Sequence, residues 1–225
     1  MSTAPDYLKL VEGLDKSRKA SVGDQPSIFT DIFKEDINIA IWRRALSAEI
    51  KDYAQVFLKA HKNYRQSLVV KPDNAFEKLT ESESKLSQSK ALCQNISELV
   101  EMFCLLFGVK QVGLRLTTLD HSMCPRFHVD RVPGRLVCTY HGVSTEWLPH
   151  NEIDRSKLGN GNNGLPDEES GLFQSPHSIK QLNVGDVAIL KGELWDGNEN
   201  AGLVHRSPQV PSGENRLLLT LDFLS

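Results

Sequence analysis

Before residue 109 the apolar positions recur every third or fourth residue; after it they recur every second, and this change of period divides the chain. The run 47–61 carries Ile50, Tyr53, Ala54, Phe57 and Leu58, the spacing of an amphipathic helix. A second helix is predicted over about 75–86. A third is predicted over 90–107, where Leu92, Ile96, Leu99, Val100, Phe103, Leu106 and Phe107 form a wide stripe ended by Gly108. Ile37, Ile39 and Ile41 alternate with Asn38 and Ala40, a short possible strand. From Val112 on, Val112, Leu114 and Leu116 alternate with smaller or polar residues. Further β-like runs follow at 127–129, 135–140, 184–190, 203–206 and 216–223, with turns rich in glycine and proline.

Short strands without long helices between them argue for a β barrel or sandwich in the second half. The chain is therefore expected to be α+β, with three parts: a polar N-terminus of little regular structure (1–35), a mainly helical region (36–108) and a β domain (109–225). The stretch 150–178, rich in Asn, Gly, Asp and Ser, is expected to be a long flexible loop serving as a flap beside the site.

Composition narrows the function classes. A chain of 225 residues with a net charge of −3 and no long apolar run is expected to be a cytoplasmic protein with neither a membrane span nor a bulk nucleic-acid footprint. Lys16-Ser17-Arg18-Lys19 is a compact basic cluster, expected to be a solvated tail. Four cysteines are few and expected to be reduced. The apolar helical stripes are expected to buttress one face of the barrel, with a homodimer as one use of that surface.

The candidate chemistry sits in Arg126-Phe127-His128-Val129-Asp130. On a strand, His128 and Asp130 project to one face. His205 would be the third corner if a neighbouring strand returns it to the same end of the barrel, giving two histidines and one carboxylate, the facial triad of non-haem Fe(II) oxygenases. In 216–223, Leu217, Leu219, Leu221 and Phe223 form one apolar face and leave Arg216 on the other. A guanidinium turned into a barrel needs an anion.

The order His128-x-Asp130, Gly185-Asp186 before a hydrophobic strand, His205, then Arg216 resembles the double-stranded β-helix Fe(II)/2-oxoglutarate-dependent oxygenases. The blocks Phe127-His128-Val129-Asp130, Arg135-Leu136-Val137-Cys138-Thr139-Tyr140, Thr145-Glu146-Trp147 and His205-Arg206-Ser207-Pro208 are similar to a bacterial family known only as a domain of unknown function. The first resemblance implies a cupin-like jelly roll from about Val109 to the C-terminus, with the helical region packed on it. It further implies Fe(II) on His128, Asp130 and His205, and 2-oxoglutarate whose distal carboxylate Arg216 clamps in a two-pronged pair. Tyr140 and Arg135 are further candidates for the cosubstrate, although they lie on opposite faces of one strand. Leu218 stands where some members carry a serine that also touches the carboxylate. Oxidative decarboxylation would then drive hydroxylation or demethylation of a small-molecule or side-chain substrate.

Trp147 and Trp195, in expected loops, are candidates for lining a substrate pocket or for capping a core. Glu146 and Glu193 read as salt-bridge partners or substrate contacts. Arg206 should face away from His205. His121, His150 and His177 read as surface residues. Three other uses of the metal chemistry stay open. The first is a closed zinc site from Cys124, His128, Cys138 and His141; its spacing is not that of a zinc finger. The second is a cupin-like protein that binds Zn(II) or another divalent ion without redox turnover, in which Arg216 would pair internally with Asp222 or Glu193. The third is zinc-assisted hydrolysis.

Overall fold

In the computed structural model, which describes residues 17–81 and 85–224, the first described elements are strand β1 (Lys19–Gly23) and a 3-10 segment (Pro26–Phe33), where little regular structure was expected. Phe29 and Ile32 anchor that segment by burying their side chains. Arg18 is no solvated tail residue: it is buried, and its Nε donates to Asn198 Oδ1 at 2.9 Å. Lys16 lies outside the described residues.

Strand β2 (Ile37–Trp42) matches the Ile37/Ile39/Ile41 alternation. Helix α1 (Ala48–Ala60) starts where Ser47 Oγ accepts from the Ile50 backbone N–H at 3.3 Å. Strand β3 (Arg65–Val70) was not foreseen. Helix α2 (Ala75–Glu81) stops before the predicted end, and a 3-10 turn follows at Lys85–Gln88. Helix α3 (Lys90–Phe107) occupies its predicted span; Ser89 caps its start, and Gly108, with φ of 64°, supplies the left-handed end that a side chain would resist. The β half comprises β4 (Val112–Leu119), β5 (Gly134–His141), β6 (Glu146–Leu148), β7 (Lys180–Gln181), β8 (Val187–Lys191), β9 (Val204–Arg206) and β10 (Arg216–Asp222).

Seven strands make one sheet in the order β1-β2-β8-β5-β10-β4-β3, and β7-β6-β9 make a second. A bridge between His128 and His205 adds the 128 segment to the edge of the small sheet. From β4 onward the chain passes back and forth between the two sheets, which is the winding of a double-stranded β-helix. The first three strands do not form a separate helical unit; they extend the large sheet at both edges.

Alternation decides what each face covers. Leu217, Leu219 and Leu221 of β10, with Leu136 and Cys138 of β5, pack outward against Ile50, Phe57, Ile96 and Phe103 of the helices. Each such buried aliphatic side chain contributes about 1.5–3 kcal/mol. Between the sheets lie Ile39, Ile41, Val137, Ala188, Leu190 and Leu203. A third cluster, Phe127, Leu148, Leu172, Phe173 and Val204, covers the outer face of the small sheet. Two of its members, Leu172 and Phe173, come from the 150–178 stretch. That stretch was expected to stand as a flap beside the site; instead it lies across the back of the small sheet. Asp167 there accepts from the Phe127 backbone N–H at 2.7 Å and pairs with Arg126 at 3.0 Å, while Glu168 meets Arg206 at 2.8 Å. Among the described residues no helix is long and apolar enough to cross a membrane.

Candidate metal centre

The backbone of His128 is paired with that of His205 through two reciprocal hydrogen bonds of 3.0 Å, so the main chain sets the spacing of the two imidazoles. Their ring centroids are 4.6 Å apart. Asp130, two residues on, turns to the same side. Its Oδ1 lies 3.6 Å from His128 Nε2 and its Oδ2 lies 3.4 Å from His205 Nε2. Both separations exceed a good hydrogen bond. They approach the roughly 3 Å expected between neighbouring ligands that each sit about 2.1 Å from one ion. Among the described residues this is the one group of three or more His, Cys, Asp or Glu side chains whose ligand atoms converge in this way.

The histidines are also held in a suitable tautomer. His128 Nδ1 is 2.9 Å from the Arg126 carbonyl and His205 Nδ1 is 3.2 Å from the Leu203 carbonyl. An Nδ1–H donating to each carbonyl leaves both Nε2 lone pairs facing Asp130. Burial alone would raise the Asp130 pKa, but the facing histidines and Arg135 hold it well below the usual carboxylate range. The same carboxylate raises the pKa of His128 against the opposing effect of burial. The donor set fits a divalent ion such as Fe(II) or Zn(II).

Arg135, considered for the cosubstrate, instead bridges two carboxylates: Nη1 donates to Asp130 Oδ2 at 2.8 Å and Nε to Asp222 Oδ1 at 2.6 Å. It fixes the rotamer of Asp130. The approach of this segment to the neighbouring loop depends on a glycine, because a Cβ at Gly192 would lie 2.0 Å from the Val132 carbonyl oxygen and 3.0 Å from that of Asp130.

Arg216 lies on the inner face of β10 and is only 1% exposed. Its Nη1 donates to Ser207 Oγ at 3.1 Å, and its Nη2 donates to Thr139 Oγ1 at 3.2 Å and Thr145 Oγ1 at 2.7 Å. Its Nε is buried with no partner. Neither acid considered for it is engaged there: Asp222 holds Arg135, and Glu193 accepts from the Asn200 backbone N–H at 2.6 Å and meets Arg155. Burial pushes its pKa down to about 10. A buried cation that hydrogen-bonds three hydroxyls, and feels the Glu146 carboxylate only through space, is a fitting seat for a ligand carboxylate. Sequence reasoning missed all three hydroxyl residues, although Thr139, Thr145 and Ser207 stand inside the motif blocks quoted above.

The remaining candidates separate clearly. Trp147 is on strand β6, not in a loop; it pairs with His205 and packs against the cluster between the sheets. Trp195 belongs elsewhere, in an aromatic cluster 5.6 Å from Phe33 and 5.9 Å from Phe107. Tyr140 points to the helical side, where its hydroxyl donates to Asn95 Oδ1 at 2.9 Å, because even spacing from Leu136 and Cys138 puts it on the outer face of β5. Cys138 shares that face and contacts Arg44, whereas Cys124 is exposed, so no four-ligand zinc site forms with His128 and His141. Arg206 faces outward and pairs with Glu146 at 2.7 Å.

Among solved structures, JOX2 in complex with 2OG, Fe, and JA matches with a TM-score of 0.50 at 11% identity, over 98% of this chain and 83% of that one. A rice dioxygenase for auxin oxidation matches with a TM-score of 0.49 at 8% identity, over 93% of this chain and 83% of that one. A Pseudomonas putida prolyl-4-hydroxylase matches with a TM-score of 0.45 at 9% identity, over 89% and 99%. The likeness to JOX2 is one of fold, the double-stranded β-helix of 2OG-Fe(II) oxygenases. Comparison with curated protein sequences gives no match. A family model described as "Protein of unknown function (DUF1826)" matches residues 23–222, and the chain belongs to that family.

Proposed function

We propose that this protein is an Fe(II)/2-oxoglutarate-dependent oxygenase acting on a small molecule or a side chain. His128, Asp130 and His205 would hold Fe(II), and Arg216 would take the distal carboxylate of 2-oxoglutarate. When bound, the pair would supply oxygen activation coupled to decarboxylation, for hydroxylation or demethylation. The work of this chain is positioning. The Arg126 and Leu203 carbonyls fix the imidazole tautomers, and Arg135 holds the carboxylate.

The observation that carries the reading is Arg216. A protein that only binds an ion has no use for a buried guanidinium on the inner face of the same sheet that hydrogen-bonds hydroxyls and no acid. Such a group is costly unless a ligand completes it. Thr139, Thr145 and Ser207 orient the guanidinium and leave Nε free for an incoming oxygen.

The test is anaerobic titration of the metal-free protein with Fe(II) and then 2-oxoglutarate, watching for the visible charge-transfer absorption of a chelated 2-oxo acid. Appearance of the band, and its loss in Asp130→Ala, is the expected result. Tight metal binding without the band would refute the reading in favour of a Zn(II)- or other divalent-ion-binding protein.

A further inference from the structure

The peptide unit that joins Arg126 to Phe127 carries a hydrogen bond at each end. Its carbonyl oxygen, on Arg126, accepts from His128 Nδ1 at 2.9 Å. Its N–H, on Phe127, donates to Asp167 Oδ2 at 2.7 Å. A peptide unit is planar and stiff, so a carboxylate that fixes one end also fixes the direction in which the other end receives the imidazole. The two bonds reinforce one another as well, because a charged acceptor at the N–H makes the carbonyl oxygen a stronger acceptor in its turn.

Asp167 is itself firmly held. Its side chain is buried, and its charge is balanced by Arg126 Nε at 3.0 Å and by Arg206 Nη1 at 3.7 Å, as burial of a carboxylate requires. Its backbone belongs to a tight turn in which Ser170 Oγ donates to the Asp167 carbonyl at 3.0 Å and the Ser170 N–H to the Pro166 carbonyl at 2.9 Å. Just beyond that turn, Leu172 and Phe173 sink into the cluster with Phe127, the two phenyl rings lying 5.8 Å apart. The turn cannot leave Phe127 without opening that cluster.

His128 needs such a brace more than His205 does. His205 lies within β9, which pairs with β6, and the Leu203 that receives its Nδ1 is tied through its own N–H to the Lys191 carbonyl at 2.9 Å. His128 stands outside the strands, joined by a single bridge, and its side chain is 34% exposed against 8% for His205.

We propose that Asp167 is a positioning residue of the metal centre. Through the peptide between Arg126 and Phe127 it aims the His128 imidazole, which makes the 150–178 stretch a brace for the ion. The inference rests on the metal centre of the reading above and not on 2-oxoglutarate.

The test uses the full chain and Zn(II), with affinity measured by competition against a chelator. The Nδ1–H protons of His128 and His205 are followed by NMR in the Zn(II)-loaded protein. Asp167→Ala is expected to bind Zn(II) about 10–100-fold more weakly, the usual effect of losing a group that orients a ligand. Its His128 Nδ1–H signal should move upfield and exchange faster with water, while the His205 signal moves far less. Asp167→Asn keeps an acceptor for the Phe127 N–H and loses the charge, so it should fall between wild type and Asp167→Ala; it also stands in if Asp167→Ala does not fold. Ile96→Val, a core truncation in the helical layer, controls for lost stability and should leave the affinity unchanged. Unchanged affinity, or an unmoved His128 signal, in the folded Asp167 variants overturns the proposal. Equal shifts at both histidines, or a matching loss in Ile96→Val, would mark general loosening and overturn it too. Zn(II) binding that depends on Asp167 in a chain that never takes up 2-oxoglutarate supports the brace and sinks the oxygenase reading. A wild type that takes no metal overturns both.

Discussion

Replacing Arg216 with methionine should cost the folded protein little and the cosubstrate nearly everything. Folding holds the guanidinium at 1% exposure with its pKa pushed down to about 10, which corresponds to roughly 3 kcal/mol of unfavourable burial of the charged form. Because the folded-state pKa lies below that of the unfolded chain, this cost is present in full below pH 10 and is relieved only at higher pH. Against it stand three hydrogen bonds to neutral hydroxyls, each contributing about 0.5–1.5 kcal/mol. The two sides nearly cancel, so Arg216→Met is expected to unfold within about 2 kcal/mol of the wild type in chemical denaturation. The ligand response should change far more. At 2-oxoglutarate concentrations near 100 Kd the metal-loaded wild type gains about 2.7 kcal/mol, or roughly 5–10 °C in Tm for a domain of this size. The variant, lacking the charge-assisted pair, should show no shift at the same concentration. A loss of more than about 4 kcal/mol with the 2-oxoglutarate shift retained would show that Arg216 is structural, and would refute the argument.

Other substitutions address the metal centre and its supports. Asp130→Ala and His205→Ala should each abolish Fe(II) binding in calorimetry, since two remaining ligands do not make a facial set. Arg135→Gln should keep binding but weaken it about 10–100-fold, the usual effect of removing a group that orients a ligand; unchanged affinity would show that Asp130 holds its rotamer unaided. Gly192→Ala should displace the Asp130 segment, because the new methyl collides with the Val132 carbonyl oxygen at 2.0 Å; wild-type Fe(II) affinity and Tm in that variant would refute the clash. Lys191, buried beside Trp195 with its pKa lowered to about 8, binds fewer protons folded than unfolded between pH 8 and its ordinary value. Stability should therefore rise with pH across that window, by up to roughly 3 kcal/mol, and Lys191→Met should remove that rise when the two proteins are unfolded in parallel.

The convergence of His128, Asp130 and His205 was legible in part because it rests on short spacings. Alternation along β10 turned Arg216 inward, the i, i+2 spacing kept His128 and Asp130 on one side although only His128 forms a β-bridge, and the 3.6-residue stripe marked α3 to its capping glycine. What escaped depends on distant pairing. Strands β6 and β7 are too short to show a period, and β3 earns its place only by pairing with β4. Residues 150–178 carry the composition of a loose loop, yet Leu172 and Phe173 find a hydrophobic face that no local pattern could disclose. Trp195 sits close to His205 in sequence, yet it falls in the connection after β8 and joins the aromatic cluster of Phe33 and Phe107.

The paired backbones of His128 and His205 have a further consequence for how this centre can vary. Main-chain hydrogen bonds act as a ruler between the two imidazoles, so their spacing survives changes in nearly all neighbouring side chains and is vulnerable instead to changes in chain length. A slip of β9 by one residue would turn Val204 or Arg206 inward in place of His205. Insertions and deletions, rather than substitutions, are thus the mutations to which the centre is most brittle, and the loops on either side of β9 are where the length of this protein is under the tightest constraint.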